Sequence, residues 1–485
     1  MRLDLRVSQQ NWNQLRRHFQ HSFRSKMAPE TAALGALGLC KRSDRTEYLI
    51  ARLFWPADGD LKIAEHGRVE LSSTYVRRAH LYMRENKLAG LVVFHTHPMS
   101  DKHVSFSPFD DIEEPLLVNN LAELHPGTIL VSLVVGKNSQ YGRVWTTSAK
   151  WEPMQSLVVV GEGIWYIPLD GAPPAPPPRP EGIFDSALAL TGAGALALLH
   201  DLKPAIIGGS GTGSITRELL TRAGCRFPLM IDDDIAEERN ANRILHLTAA
   251  DIARRTPKVE ISRRATEELK MDFRLEAVQG NVMDRDILAK LRDADVIFGC
   301  VDKAYPRKLL SEFSFQYLRP YIDVGTEIGA DAKGIVSLDA RASYVAPGRF
   351  CLMCMGIVTP RQLWFESLGY EERERETKLG YCDDLVIKQP AVMDLNMRAA
   401  SQGTILLRHL LQPFLLEPLP LSVTENLVTY TIRKIEMPRT PREDCRVCQK
   451  NRFFGYGDCG PTIGLDTASV QAIIGPQLRR FAEKA

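Results

Sequence analysis

Two apolar stretches in the first hundred residues, TEYLIARLFWP and LAGLVVFHTHP, are rich in β-branched residues, and each runs into proline. That pattern predicts two strands. Between them, STYVRRAHLYMRENK repeats its apolar positions at helical spacing, so the N-terminal part reads as a mixed α+β domain. Further on, DSALALTGAGALALLHD predicts a helix leading to strand KPAIIGG, a glycine-rich loop, helix SITRELLTRAG and strand FPLMIDDD. ADVIFGCVD and RPYIDVGTE add two more apolar strands, with helical sequence before or between them. Strands alternating with helices predict an α/β, parallel, doubly wound (Rossmann-like) sheet in this second part.

The two patterns meet at PLDGAPPAPPPRP, Pro168 to Pro180, with seven prolines in thirteen residues. Proline removes the backbone N–H and fixes φ, so this stretch reads as a stiff spacer. The predicted organisation is a domain over 1–168, a linker over 169–182 and a second domain over 183–485. The longest apolar run, Ala187 to Leu199, is interrupted by Thr and Gly and is too short for a membrane span. Charges at Arg2, Asp4 and Arg6 stand where a signal peptide would be apolar, so a cytoplasmic protein is expected.

Composition narrows the classes further. The 485 residues are 44% apolar with a formal net charge of +2, which excludes a disordered or collagen-like chain. Near-neutrality leaves no electrostatic footprint for nucleic acid or an anionic membrane. Nine cysteines in such a chain point to metal ligands, catalysts or buried thiols before disulfides.

The first candidate chemistry ends the second strand. His95 and His97, at i and i+2 of an extended segment, project to one side and can reach one ion. With nine residues between it and His97 comes Ser107-Pro-Phe-Asp110, which offers a carboxylate ligand and a neighbouring hydroxyl. Three protein ligands with an open fourth position describe a catalytic zinc site, where bound water is acidified and a carboxylate can serve as general base. Here the sequence resembles the JAB/JAMM (MPN) metalloprotease family, whose pattern is an upstream Glu, then H-x-H-P, then S-x-x-D. The resemblance implies His95, His97 and Asp110 as zinc ligands, Glu30 in APETAALGALGL as general acid/base, and Ser107 as an oxyanion stabiliser. It also implies hydrolysis of a peptide or isopeptide bond after the C-terminus of a ubiquitin-like protein. Seven residues between His and Ser are common in that family. Ser105 would restore that spacing but puts Pro108 at the Asp position, so Ser107 and Asp110 are kept, with Asp101 and Asp111 as fallback ligands.

The second constellation lies just beyond the KPAIIGG strand. Ile207-Gly-Gly-Ser-Gly-Thr-Gly213-Ser opens a helix, and its glycines Gly208, Gly211 and Gly213 permit a tight turn and close approach to phosphate at the positive helix end. Asp232, 24 residues beyond Gly208 at the next strand end, can hold ribose hydroxyls. A NAD-dependent dehydrogenase is the natural competitor. Against it, the chain continues with Asp234, Asn240, Arg243, Lys258 and then GCVD302KAYPR307, a series that resembles the ThiF/MoeB/ubiquitin-activating adenylyltransferase superfamily. That resemblance implies ATP, with the strand-end Asp on ribose, Asn240, Arg243 and Lys258 on phosphates, and Asp302 assisting Mg²⁺. Asp233 and Glu237 read as solvated loop residues. Family members usually carry an Arg in the preceding helix that reaches the ATP of a dimer partner, and the helix FDSALALTGAGALALLHD has none.

Cys351-Leu-Met-Cys354 and Cys445-Arg-Val-Cys448 form two knuckles about 90 residues apart, and four thiolates fill the closed tetrahedral shell of a structural zinc. The ThiF-type superfamily often has such a zinc. Cys40, Cys225 and Cys300 lie in or beside apolar elements and read as core. Cys382, in the polar KLGYCDDL, corresponds to the superfamily's crossover loop and is the candidate thioester nucleophile. Asp383 and Asp384 oppose it by raising a thiol pKa, and Cys459 is the alternative.

Together the resemblances imply a fusion of a JAB-like peptidase with a ubiquitin-activating-type enzyme. The expected cofactors are ATP, Mg²⁺ and two Zn²⁺, one catalytic and one structural. The expected partners are a ubiquitin-like protein, a ubiquitin-conjugating-type carrier and a second copy in a homodimer, in the setting of bacterial conjugation used against phage. Activation and trimming of a sulfur-carrier protein, or a non-catalytic scaffold, are the competing readings.

Overall fold

The computed structural model describes residues 2–25, 27–100, 102–171, 184–331, 334–379, 392–436, 444–448 and 453–465. The chain divides into two units: Met1–Pro176 with Phe315–Leu318 and Arg452–Pro461, and the remainder.

The first unit is built on a nine-stranded sheet. Its strands are β1 (Arg2–Ser8), β2 (Ala32–Lys41), β3 (Arg45–Phe54), β6 (Gly90–Thr96), β7 (Ile129–Val135), β8 (Gln140–Thr147), β9 (Lys150–Pro153), β10 (Ser156–Val160) and β11 (Ile164–Pro168), and a separate hairpin pairs β4 (Leu61–Glu65) with β5 (Arg68–Leu71). The order is β11-β10-β1-β3-β2-β6-β7-β8-β9. Both faces of the sheet are covered, which is why its central strands are nearly continuous in apolar residues. In β6, Val92 and Phe94 join the core that holds Trp12, Leu15 and Phe19 of α1 (Gln9–Phe19). Leu91 and Val93 point the other way, to Tyr75, Ala79 and Met83 of α2 (Ser73–Glu85) and Val118 and Leu121 of α3 (Asp110–Leu124). The strand period of two therefore carries His95, and beyond the strand His97, towards the α3 side. Residues 453–461, which lie within 183–485, also join this unit. Tyr456 enters the α2–α3 core, and Gly457 bridges Leu39 in parallel. A Cβ on Gly38 would stand 2.1 Å from the Gly455 carbonyl oxygen, so that close approach needs a glycine.

The second unit holds an eight-stranded sheet, β14-β13-β12-β15-β16-β17-β18-β19. The strands are β12 (Pro204–Ile207), β13 (Leu229–Asp232), β14 (Glu276–Gln279), β15 (Val296–Gly299), β16 (Tyr321–Asp331), β17 (Gly334–Val345), β18 (Ser422–Asn426) and β19 (Thr431–Ile435). The helices are α4 (Asp185–Asp201), α5 (Gly211–Ala223), α6 (Ala249–Arg254), α7 (Lys258–Glu267), α8 (Arg285–Ala289), α9 (Ala304–Gln316), α10 (Pro360–Ser367), α11 (Tyr370–Lys378) and α12 (Met393–Leu411). β12 to β16 pair in parallel, as the alternation predicted. The wholly parallel reading needs correction beyond that point, because β17, β18 and β19 continue the sheet antiparallel. SVTEN and TIRKI are too polar to announce themselves as strands; β18 forms on the long ladder of β17, and β19 forms on β18 in turn. The α4 stretch is helical with a break at Gly192, where φ is +67°. Among the described residues, no helix is long and apolar enough to cross a membrane.

Candidate functional site

In the first unit, antiparallel pairing sets Ala32 opposite His95, so the start of β2 lies beside the end of β6. Thr31 and Thr96 clasp the two chains: the Thr96 N–H donates to the Thr31 carbonyl at 3.0 Å, and the Thr31 N–H to Thr96 Oγ1 at 3.0 Å. Glu30, one residue upstream, is thereby held with Oε1 4.0 Å from His97 Nε2. Asp110 opens α3, and the Ser107 N–H donates to its carboxylate at 2.6 Å while the Asp110 N–H donates to Ser107 Oγ at 3.3 Å. This reciprocal turn aims Asp110 at both imidazoles, with contacts of 3.2 Å to His95 Nε2 and 3.6 Å to His97 Nε2.

His95, His97 and Asp110 thus gather three ligand atoms within 4.8 Å of one another. Zinc bonds of about 2.0–2.1 Å set ligand edges of about 3.3 Å in a tetrahedron, so the donor set fits such an ion. Burial would raise Asp110, but hydrogen bonds from His95 and His97 hold its carboxyl well below the usual range. Burial raises the Glu30 carboxyl, with His97 and His95 opposing. The fallback ligands fall away differently: Asp111 is engaged by Arg143 Nη1 at 2.6 Å, and Asp101 lies outside the described residues.

Sequence reasoning missed the support behind His95. Glu114 accepts from Arg143 Nε at 2.8 Å and Trp145 Nε1 at 2.6 Å, and Arg143 lies 3.8 Å over the Phe106 ring, which neighbours His95. The signal was available, since Glu114 follows Asp110 at i+4 and shares its helix face.

In the second unit the glycine loop is shaped by contacts that forbid side chains. Gly208 has φ +98°, and a Cβ on Gly213 would stand 1.7 Å from the Gly208 carbonyl oxygen. Ser210 caps α5 without a side-chain hydrogen bond, so the N–H groups of the first turn keep their donor capacity. Asp232, at the end of β13, accepts from the N–H groups of Gly209 (2.5 Å) and Asp234 (2.7 Å). Burial pushes its pKa up to about 6, with Lys258 opposing.

Lys258, 5% exposed, donates to Asp234 at 2.7 Å, and Arg243 passes within 3.5 Å of the Cβ position of Gly211. Asn240 is buried, and its Oδ1 accepts from the Glu237 N–H at 3.1 Å in a reciprocal cap. Asp302 is exposed just after β15, and Arg307 donates to the Val301 carbonyl beside it. Asp233 accepts from Asn281 at 2.7 Å, and Glu237 pairs with Arg239.

The knuckles meet crosswise, Cys351 Sγ to Cys445 Sγ at 3.6 Å and Cys354 Sγ to Cys448 Sγ at 3.4 Å. A tetrahedral zinc with bonds near 2.3 Å sets sulfur edges of about 3.8 Å, so these four thiols fit one ion. Cys40, Cys225 and Cys300 are buried, and burial pushes Cys225 and Cys300 up to about 12. Cys459 is half-buried against the α2–α3 core, and burial raises its thiol also. Cys382 lies outside the described residues.

Several known proteins are similar to part of this chain. The Bacillus subtilis (strain 168) sulfur carrier protein ThiS adenylyltransferase is 24% identical over 124 residues, 26% of this chain and 37% of that relative. The match thus spans little more than a third of the relative's length. Among solved structures, E. coli MccB with ATP is 20% identical, covering 56% of this chain and 75% of that one at a TM-score of 0.43. A second structure of E. coli MccB gives 19% identity over 56% and 73%, at 0.45. The profile of the ThiF family matches residues 184–447, more than half of the chain, and the protein belongs to that family.

Proposed function

We propose that the second unit is an adenylyltransferase that activates the C-terminus of a small ubiquitin-like protein. The observation that carries this reading is the convergence of Lys258, Arg243 and the open α5 N-terminus beside Asp232. Asp232 accepts hydrogen bonds from the ribose hydroxyls, while Lys258, Arg243 and the first-turn N–H groups neutralise the phosphates. Lys258 exchanges its bond to Asp234 for a phosphate oxygen. A substrate carboxylate oxygen attacks the α-phosphorus, the α–β bridging bond breaks, and pyrophosphate leaves with the electron pair. Asp302 is the residue to hold Mg²⁺, whose charge would offset that of the leaving pyrophosphate. Asn240, occupied by its cap, supports the loop that carries Arg243, in addition to the phosphate role implied by resemblance. Cys382 is the candidate to take the acyl group as a thioester with release of AMP, and a conjugating-type carrier would receive it. A homodimer and a bacterial antiphage setting complete this reading.

The first unit is a zinc peptidase acting on the same ubiquitin-like protein. His95, His97 and Asp110 would hold the metal, which supplies Lewis acidity towards a carbonyl and towards water. Glu30 accepts a proton at its carboxylate and returns it to the leaving amine. Ser107 Oγ keeps its O–H free to donate to a developing oxyanion, since its contact with Asp110 uses it as an acceptor. Glu30→Gln should abolish cleavage of a ubiquitin-like fusion while zinc content is unchanged; loss of the metal would make Glu30 a ligand.

ATP–pyrophosphate exchange, with Mg²⁺ and a ubiquitin-like protein ending in Gly-Gly as probe, tests the second unit. Asp302→Ala should remove most exchange and leave folding intact, and undiminished exchange would overturn its role. A second reading, activation of a sulfur carrier, is favoured by the ThiS adenylyltransferase match. Preference for ThiS over the ubiquitin-like probe in the same exchange assay would select it.

A further inference from the structure

The second unit contains a buried polar side chain outside the series of nucleotide residues. Asn396 lies in the first turn of α12, 3% exposed. Its Oδ1 accepts from Thr326 Oγ1 at 3.4 Å. Its Nδ2 has no hydrogen-bond partner. That nitrogen faces the glycine loop, for a Cβ built on Gly211 would stand 2.3 Å from it. Gly211 is the first residue of α5, and the Arg243 side chain flanks the same position at 3.5 Å.

Two independent features thus meet at one point. The α5 N-terminus presents backbone N–H groups with no side-chain cap, and a buried amide donor is directed beside it. An unpaired buried donor is costly to maintain, and such an atom calls for an acceptor supplied by a ligand. Glycine at 211 clears the space, since any side chain there would collide with the amide. A phosphate oxygen at the helix N-terminus is an acceptor of the required charge and place. A carboxylate at position 396 would repel it.

We propose that Asn396 donates through Nδ2 to a phosphate oxygen of the nucleotide held at the α5 N-terminus, with Thr326 as its positioning residue. The inference rests on the nucleotide reading of this loop under the proposed function. It adds a ligand from α12, more than 150 residues beyond the glycine loop, to a site otherwise built from 208–302.

The test is calorimetric titration of the full chain with Mg-ATP and with adenosine, alongside melting without nucleotide. Asn396→Leu keeps the side-chain shape and removes the donor. It should weaken Mg-ATP roughly tenfold or more, the loss of one hydrogen bond to a charged group. Adenosine, which lacks phosphates, should bind the variant as it binds the wild type. Melting without nucleotide should hold or rise, because a costly unpaired donor is gone. Asn396→Asp should weaken Mg-ATP further, and Thr326→Val should weaken it less. A purely structural role would give the opposite pattern, lower melting with unchanged Mg-ATP affinity, and would overturn the proposal. Equal losses for adenosine and Mg-ATP would overturn it as well. Lys258→Ala separates the Asn396 assignment from the nucleotide reading beneath it. If it weakens Mg-ATP while Asn396→Leu and Thr326→Val do not, only the Asn396 assignment fails; if wild type binds no Mg-ATP, the nucleotide reading fails with it.

Discussion

Glu47 has no contact with solvent and lies between two buried arginines, 3.0 Å from Arg6 Nη2 and 3.2 Å from Arg42 Nη1. Removing it takes a buried carboxylate from both guanidinium groups, although Arg42 keeps Asp44 at 3.4 Å and Arg6 keeps the Leu318 carbonyl at 3.3 Å. Glu47→Ala should therefore destabilise the first unit by about 3–5 kcal/mol, read as a lower denaturant midpoint. Asp232 makes the opposite case, a carboxylate whose own charge is unwelcome. Its folded pKa of about 6 exceeds the ordinary 3.8, so the folded state holds the proton more tightly. Its contribution to stability is then present below about pH 4 and lost as pH rises through about 6, by an amount on the order of 2–3 kcal/mol. Asp232→Asn should flatten that dependence in melts without nucleotide, yet weaken Mg-ATP at about pH 7, where the ribose needs an ionised acceptor. A variant with unchanged pH dependence would place the titration elsewhere. Both residues show the limits of reading single positions. Asp232 was visible from its spacing, but its burial was not. The S-x-x-D pattern selects Asp110 over Asp111, but the physical reason, Arg143 engaging Asp111, depends on β8 lying against α3.

At the scale of elements, local chemistry was legible where it obeys a short-range rule. The i, i+2 histidines came from the strand period, and the glycine loop came from its strand–turn–helix context. Gly213 illustrates why: its Cα faces the Gly208 carbonyl so closely that alanine cannot be accommodated without moving the loop. Gly213→Ala should abolish measurable Mg-ATP binding, and wild-type affinity in that variant would mean that the loop does not face the nucleotide. The knuckles were equally legible, since their thiols needed only to be counted and paired. On the reading that these thiols hold zinc, Cys351→Ser should remove one ion from the full chain and lower the melting temperature of the second unit, while an ion held by His95, His97 and Asp110 stays. Illegible were the elements that form through partners. β18 and β19 are polar and exist by pairing, β18 with β17 and β19 with β18, and Tyr456 is buried only because 453–461 returns to β2. Asn396 belongs to the same class, because its meaning depends on what α12 packs against.

On the scale of the whole chain, one polypeptide carries a ThiF-family unit and a second unit in which His95, His97 and Asp110 gather ligand atoms within reach of one ion. The proline-rich stretch is a local signal in the sequence, while the return of 453–461 to the first unit joins sequence-distant segments that no local pattern could connect. Central to this reading is that ATP is cut between its α- and β-phosphates by a protein carboxylate. The most direct measurement is the identity of the nucleotide products when the full chain is incubated with Mg-ATP and a ubiquitin-like probe ending in Gly-Gly. Pyrophosphate and AMP are expected, with transient mass on the probe's C-terminus, all lost in Lys258→Ala. ADP and phosphate as the products, with the probe unmodified, would contradict it.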